Sequence, residues 1–241
     1  MPEPLLALAG VNTHIGQYHI LQGVDFEVPR GSLTMLLGRN GAGKTTCLRT
    51  IMGLWRASAG AIRYDGAEIQ RIPTPELARL GVAYVPENMG IFAGLTVREN
   101  LLLAAREKSF DAKRLEWLFG LFPAMKKFWN ALAGNLSGGQ KQMLAISRAI
   151  VEPRKLLLID EPTKGLAPAI IAAMIEAFRE LKRSQSTMLV VEQNFHFARS
   201  LGDSVAVMDA GRIVHSGRME ALAADEALQQ RLLGLSLDSH Q

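Results

Sequence analysis

The chain turns on residues 32–55, SLTMLLGRNGAGKTTCLRTIMGLW. Ser32–Leu37 is an apolar run of strand type, and residues 38–45, GRNGAGKT, match the pattern G-x-x-x-x-G-K-[ST]. From Gly43 to Trp55 the positions Leu48, Ile51, Met52 and Trp55 fall at i, i+3, i+4 and i+7, which predicts one apolar face of a helix. Strand, glycine loop and helix in that order make a phosphate cradle. Gly41 and Gly43 allow turns closed to larger residues, and the positive end of the helix lies behind the loop N–H groups. Lys44 supplies a point charge for the β- and γ-phosphates, and the Thr45 hydroxyl, in the first turn, is placed to meet Mg²⁺. With Gly38, Arg39, Asn40, Ala42 and Thr46 these residues form the candidate nucleotide-binding loop.

Further apolar runs rich in Val, Ile and Leu occur at Gly81–Val85, Lys155–Ile159, Thr187–Val191 and Ser204–Met208, most followed by turn residues and then a helical pattern. They read as strands of a parallel sheet covered by helices on both faces, an α/β fold. In KLLLIDEPT (155–163) the last apolar strand residue is followed by two carboxylates. Ligands of open α/β sheets gather at that edge, so Asp160 is expected to hold Mg²⁺ through water, and Glu161 to polarise the water attacking the γ-phosphorus. A second anion-binding helix start is LSGGQ (136–140), followed by KQMLAISRAI with Met143, Ile146 and Ile150 on one face. Ser137 can cap this helix, and Gly138 and Gly139 leave backbone N–H groups open beside Gln140. One triphosphate at Lys44 has no use for a second cradle of this kind, so this one is expected to serve another nucleotide or another face of one.

Composition narrows the class. The 241 residues are 48% hydrophobic and 21% charged, enough apolar material for one large domain or a domain with an insert. The single cysteine, Cys47, cannot form an internal disulfide, which fits a reducing compartment. No stretch approaches the ~18 apolar residues of a spanning helix; the longest candidate, Leu166–Ile175, is interrupted by Pro168. The start, MPEPLLALAG, carries acidic Glu3 and no basic region, so no secretory signal is expected. The 27 basic and 23 acidic residues are interleaved, and no nucleic-acid partner is expected from charge. Seven of the 15 aromatic residues fall between Phe92 and Trp129, with Leu115, Leu118 and Phe122 at helical spacing. Residues ~90–150 therefore read as a helical insertion. The sequence leaves open whether its rings are the insert's own core or line a groove for a partner helix. Beyond it, Leu222, Leu228, Leu232 and Leu235 predict a helix over Met219–Leu235.

GRNGAGKTT (38–46), LSGGQ (136–140) and LLLIDEPT (156–163), in this order and approximate spacing, resemble the ATP-binding cassette (ABC) family over essentially the whole chain. The resemblance implies a RecA-like P-loop core with an antiparallel β region in 1–87 and 151–235, and an α-helical subdomain at 88–150. It also implies a head-to-tail dimer, of identical or different cassettes, in which ATP lies between the phosphate loop of one and the LSGGQ of the other. Closure on ATP and opening after hydrolysis would then drive integral membrane permease subunits and, indirectly, a periplasmic solute-binding protein. In AYVPEN (83–88), Glu87 stands where most members carry a hinge-loop glutamine that touches Mg²⁺ and the membrane partner. In VVEQN (190–194), Gln193 stands where a switch histidine meets the γ-phosphate, and His196 is given no role. Ile15 stands where an aromatic usually stacks on adenine, so aliphatic cover or Tyr18 would have to serve.

VPE, LTVRENL (95–101), PTKGLAP (162–168) and VVEQN together resemble one subgroup, the ATPase subunits of branched-chain amino-acid importers and their urea and amide relatives. There PTKGLAP would supply the loop that crosses between cassettes, at the cytoplasmic face of the inner membrane. The competing readings are a urea or amide importer ATPase, a soluble cassette protein acting on nucleic acid, and a P-loop kinase or GTPase. The last lacks an N-K-x-D motif and leaves LSGGQ without purpose.

Overall fold

The computed structural model describes residues 3–234. The chain opens with an antiparallel pair, β1 (Leu6–Ile15) and β2 (Tyr18–Val28), then β3 (Leu33–Leu37) and helix α1 (Lys44–Ile51). β4 (Ala57–Tyr64), β5 (Ala67–Glu68), α2 (Thr74–Arg79) and β6 (Val82–Val85) follow. Residues 88–150 hold helices α3 (Val97–Leu102), α4 (Ala112–Leu121), α5 (Pro123–Lys127) and α6 (Gly138–Ile150). The chain continues through β7 (Leu156–Asp160), α7 (Pro168–Arg183), β8 (Thr187–Val191), α8 (Phe195–Leu201), β9 (Ser204–Asp209), β10 (Arg212–Arg218), α9 (Met219–Ala224) and α10 (Glu226–Leu233).

Two sheets result, one in the order β2-β1-β4-β5 and the other β10-β9-β3-β8-β7-β6. The five apolar runs read from the sequence are the five parallel strands of the larger sheet, and β10 adds an antiparallel edge on β9. Their continuous hydrophobicity has a direct cause: alternate residues feed two different cores. Met35, Leu157, Ile159, Met188, Val190, Val205 and Val207 join the cluster beneath α4, α6, α7 and α8. Leu36, Leu156, Leu158, Leu189, Val191, Ala206 and Met208 join the one shared with α1 and the antiparallel sheet. With both faces covered, little room in these strands is left for a polar residue.

The helical insert is not separately cored, since Val97, Leu101, Leu118, Phe122 and Leu144 belong to the same cluster as the sheet. Several of its rings pack on one another: Trp129 meets Phe110 and Phe119 at centroid distances of 5.5 and 5.3 Å, while Phe92 is exposed. α4 stops at Leu121, where Phe122, restricted by the following Pro123, leaves the helical region with φ −131° and ψ 78°.

Two predicted helices are corrected. The helix expected to Trp55 ends at Ile51, because Gly53 takes a left-handed φ of 70°. The helix expected over Met219–Leu235 is two helices, broken where the Asp225 carboxylate accepts the Leu228 N–H as a new N-cap; Leu235 lies outside the described residues.

Candidate active site at the carboxyl edge of the sheet

The strand order β3-β8-β7-β6 brings four post-strand segments together: 38–45, 192–194, 160–164 and 86–88. Among the described residues, the buried charged side chains are Lys44, Asp160, Glu161 and Glu192, and all four are in these segments. Burying charge is costly unless it is paired or used.

The phosphate loop is closed at its base by Gly38. Its φ is 145°, and a Cβ there would sit 2.1 Å from the Met208 carbonyl oxygen on the adjacent strand. Gly41 and Gly43 take φ values of 80° and 107°, as the loop reading requires. The Lys44 ammonium donates to the carbonyls of Gly38 at 2.7 Å and Arg39 at 3.0 Å. Burial holds that ammonium below the ordinary lysine range, outweighing the attraction of Glu161, Asp160 and Glu192. Asn40–Thr46, Ile20, Glu87, Glu161 and Lys164 line one cavity of about 320 Å³. Ile20 was not singled out from the sequence. Ile15 is not part of this lining, and Tyr18 is exposed at the β1–β2 turn.

Asp160 is fully buried and accepts from Thr45 Oγ1 at 3.2 Å and Tyr84 OH at 3.4 Å. Burial pushes its carboxyl up to about 6, despite the hydroxyl of Thr45. Burial and Asp160 together push the Tyr84 phenol up to about 12, so it stays a donor near neutrality. A buried carboxylate with hydroxyl partners and no cation of its own is a donor set suited to a divalent ion. Thr45 and Asp160 therefore fit Mg²⁺, whose other ligands would be phosphate and water oxygens. Among the described residues no group of three or more His, Cys, Asp or Glu stands ready as an all-protein metal cage.

Glu161 is 9% exposed with a left-handed φ of 47°. Its Oε1 accepts from Gln193 Nε2 and lies 4.0 Å from Lys44 Nζ. The same Gln193 nitrogen donates to Asn40 Oδ1 at 2.7 Å, so one amide ties the phosphate loop to Glu161. His196 is exposed on α8. The structure thus brings together Lys44, Thr45, Asp160, Glu161 and Gln193. Glu87 also lines the cavity, but it is paired with Lys164 rather than with Asp160.

Sequence reasoning missed two groups. Glu192 follows β8 as Asp160 closes β7; its Oε1 accepts the Thr163 N–H and hydroxyl, and its Oε2 accepts the N–H groups of Gln193 and Asn194. Burial raises its carboxyl above the usual range in spite of these bonds. The signal was present, a carboxylate directly after five buried strand residues. Lys164 is the other. Its ion pairs with Glu87 and Glu161 hold its ammonium above the ordinary lysine range.

Residues 137–140 lie elsewhere, at the start of α6. Ser137 and Gly138 are exposed to solvent, the Ser137 hydroxyl accepts from the Gln140 N–H at 3.3 Å, and the Ser137 N–H donates to Gln140 Oε1 at 2.9 Å. None of 137–140 lines the Lys44 cavity. A third feature is a groove of about 400 Å³ between α2, the loop after β6 and α6. It is lined by Leu54, Ala78, Pro86, Met89, Ala145 and Ala149, with Arg148 and Arg154 among its polar members.

Residues 21–164 match the ABC transporter family. The chain is 39% identical over 232 residues to the high-affinity branched-chain amino acid transport ATP-binding protein BraG of Pseudomonas aeruginosa, covering 95% of this chain and 100% of the relative. It is 33% identical over 234 residues to the probable branched-chain amino acid transport ATP-binding protein LivF of Archaeoglobus fulgidus, covering 96% of this chain and 99% of the relative. A solved structure described as a dimeric bacterial ABC transporter cassette superposes with a TM-score of 0.79 at 24% identity, over 89% of this chain and 98% of that one. That likeness bears on the fold.

Proposed function

We propose, on the premise that this chain belongs to the ABC transporter family, that it is the ATP-hydrolysing, energy-coupling subunit of an importer for branched-chain amino acids. The observation that carries the reading is the convergence of Lys44, Thr45, Asp160, Glu161 and Gln193 at one sheet edge, in a chain 39% identical to a branched-chain amino acid transport ATP-binding protein.

On this reading, the triphosphate enters the Gly38–Thr46 loop and Lys44 exchanges the carbonyls of Gly38 and Arg39 for phosphate oxygens. That exchange replaces neutral acceptors by charged ones at the end of a helix whose dipole favours them. Thr45 and Asp160, with Glu87 nearby, would hold Mg²⁺, and the ion would supply neutralisation of phosphate charge. Glu161 orients and polarises the attacking water, and Gln193 fixes the carboxylate from one side. Gln193 is a neutral donor and does not titrate.

The separation of Ser137–Gln140 from the cavity supports a two-cassette arrangement, each chain offering its α6 N-terminus to the nucleotide held by the other. Among the described residues no helix is long and apolar enough to cross a membrane. Translocation would then fall to permease subunits, and the groove between α2 and α6 suits a short helix from such a partner. The chain would act at the cytoplasmic membrane face.

The test is Glu161→Gln. Turnover is expected to fall by about tenfold or more, at least ~1.4 kcal/mol of barrier, while ATP binding and ATP-dependent dimer formation persist. Unchanged turnover removes Glu161 from this role.

A further inference from the structure

Lys164 has no part in the chemistry above, yet it touches two of its residues. It leaves the chain in the turn closed by its own N–H donating to the Glu161 carbonyl at 3.2 Å. Its ammonium lies 2.5 Å from Glu87 Oε1 and 3.3 Å from Glu161 Oε2. Glu87 stands 77 residues earlier, after a different strand, so one cation joins the segments that follow β6 and β7. The two pairs differ in setting. Glu87 is 41% exposed and Glu161 only 9%, so water competes far less for the second pair.

The consequence falls on Glu161. Gln193 donates to its Oε1, and Lys164 faces its Oε2. With Gln193 and the more distant Lys44 at one oxygen and Lys164 at the other, the carboxylate has fewer open acceptor positions for water than it has once Lys164 leaves. Glu87 is held too, by the same ammonium.

We propose that Lys164 is a positioning residue that restrains ATP turnover, holding Glu161 and Glu87 to each other in the nucleotide-free chain until its ammonium leaves. The proposal rests on the reading of Glu161 as the residue that polarises water. Departure is physically easy, because Lys164 is 58% exposed on a flexible stem. It sits in the 162–168 loop, the segment expected to reach a second cassette, so approach of that cassette is the event that withdraws it.

The test compares the full chain with Lys164→Met and Lys164→Arg. Two measurements are made: ATP turnover across about 0.02–0.5 M salt, where screening tightens several-fold, and amide hydrogen exchange of residues 161–166 without nucleotide. Lys164→Met is expected to turn over about threefold or more faster at low salt, the size of a partly screened ion pair, with KM for ATP changed by less than about twofold. Wild-type turnover is expected to rise with salt and that of Lys164→Met to stay flat. Lys164→Arg is expected to behave as wild type. Amides 161–166 are expected to exchange faster in Lys164→Met alone. Turnover of Lys164→Met at or below wild type overturns the proposal, as does unchanged exchange. A wild-type chain that hydrolyses no ATP would defeat the earlier reading instead, and the exchange measurement would still decide whether the restraint exists.

Discussion

Asp160→Asn offers the most quantitative test of the site. Asp160 is fully buried, and its carboxyl is pushed up to about 6, against about 3.9 in an unfolded chain. The folded chain therefore binds more protons than the unfolded one between these two values, and stability falls as pH rises through that window. Below about 4 the group is neutral in both states and costs nothing; above about 6 the full penalty applies. A displacement of that size corresponds to about 3 kcal/mol, which for a chain of this size is about 6–12 °C in melting temperature. Asparagine keeps the shape without the charge. The nucleotide-free wild type should therefore melt below Asp160→Asn at pH 8, with the gap closing toward pH 4. Glu192 is raised in the same direction, but it is present in both proteins and cancels in the comparison. The same pair measured with ATP, with and without Mg²⁺, should show the Mg²⁺-dependent rise in melting temperature in the wild type only. A melting gap that stays constant from pH 4 to pH 8 would refute the burial argument.

Two further outcomes follow from the same edge of the sheet. Glu192→Gln places an amide N–H₂ against backbone donors now satisfied by a carboxylate, and should lower urea-unfolding stability by about 1–3 kcal/mol although the residue touches no phosphate in the proposed reaction. Gly38→Ala sets a Cβ 2.1 Å from the Met208 carbonyl, on a strand locked to β3 by the Leu37–Val207 pairing, so neither side can move. ATP affinity by equilibrium binding should fall about tenfold or more, and wild-type affinity in this variant would show that the loop tolerates the intrusion.

Much of this architecture could be read from residues 32–55 and 155–163, because a strand buried on both faces has almost nowhere to hide a polar residue and so announces itself as an unbroken apolar run. The glycine loop at 38–45 was legible as a tight turn for a related reason: its glycines are demanded by backbone conformation, and the next strand presses against the first of them. The stop at Gly53 was equally visible, but the apolar face running on to Trp55 obscured it. Contacts across long sequence gaps were not legible. Nothing in PTKGLAP says that Lys164 meets a carboxylate 77 positions away, and VVEQN marks Glu192 as a strand-end carboxylate without saying which four donors it accepts from. The aromatic cluster at 92–129 falls in the stretch that holds α3, α4 and α5. Whether its rings pack inward depended on the helix breaks at Phe122 and Phe128, which only the folded chain supplies.

The reciprocal bonds between Ser137 and Gln140 hold the first turn of α6 in shape and leave the Gly138 and Gly139 N–H groups to an incoming acceptor. On the proposed two-cassette reading, a phosphate arriving there would meet a surface already ordered, so the entropic toll of docking would fall mainly on rigid-body freedom. If two cassettes pair as proposed, their pairing would be governed by how often they collide in the right orientation, and their parting by how long the triphosphate between them survives.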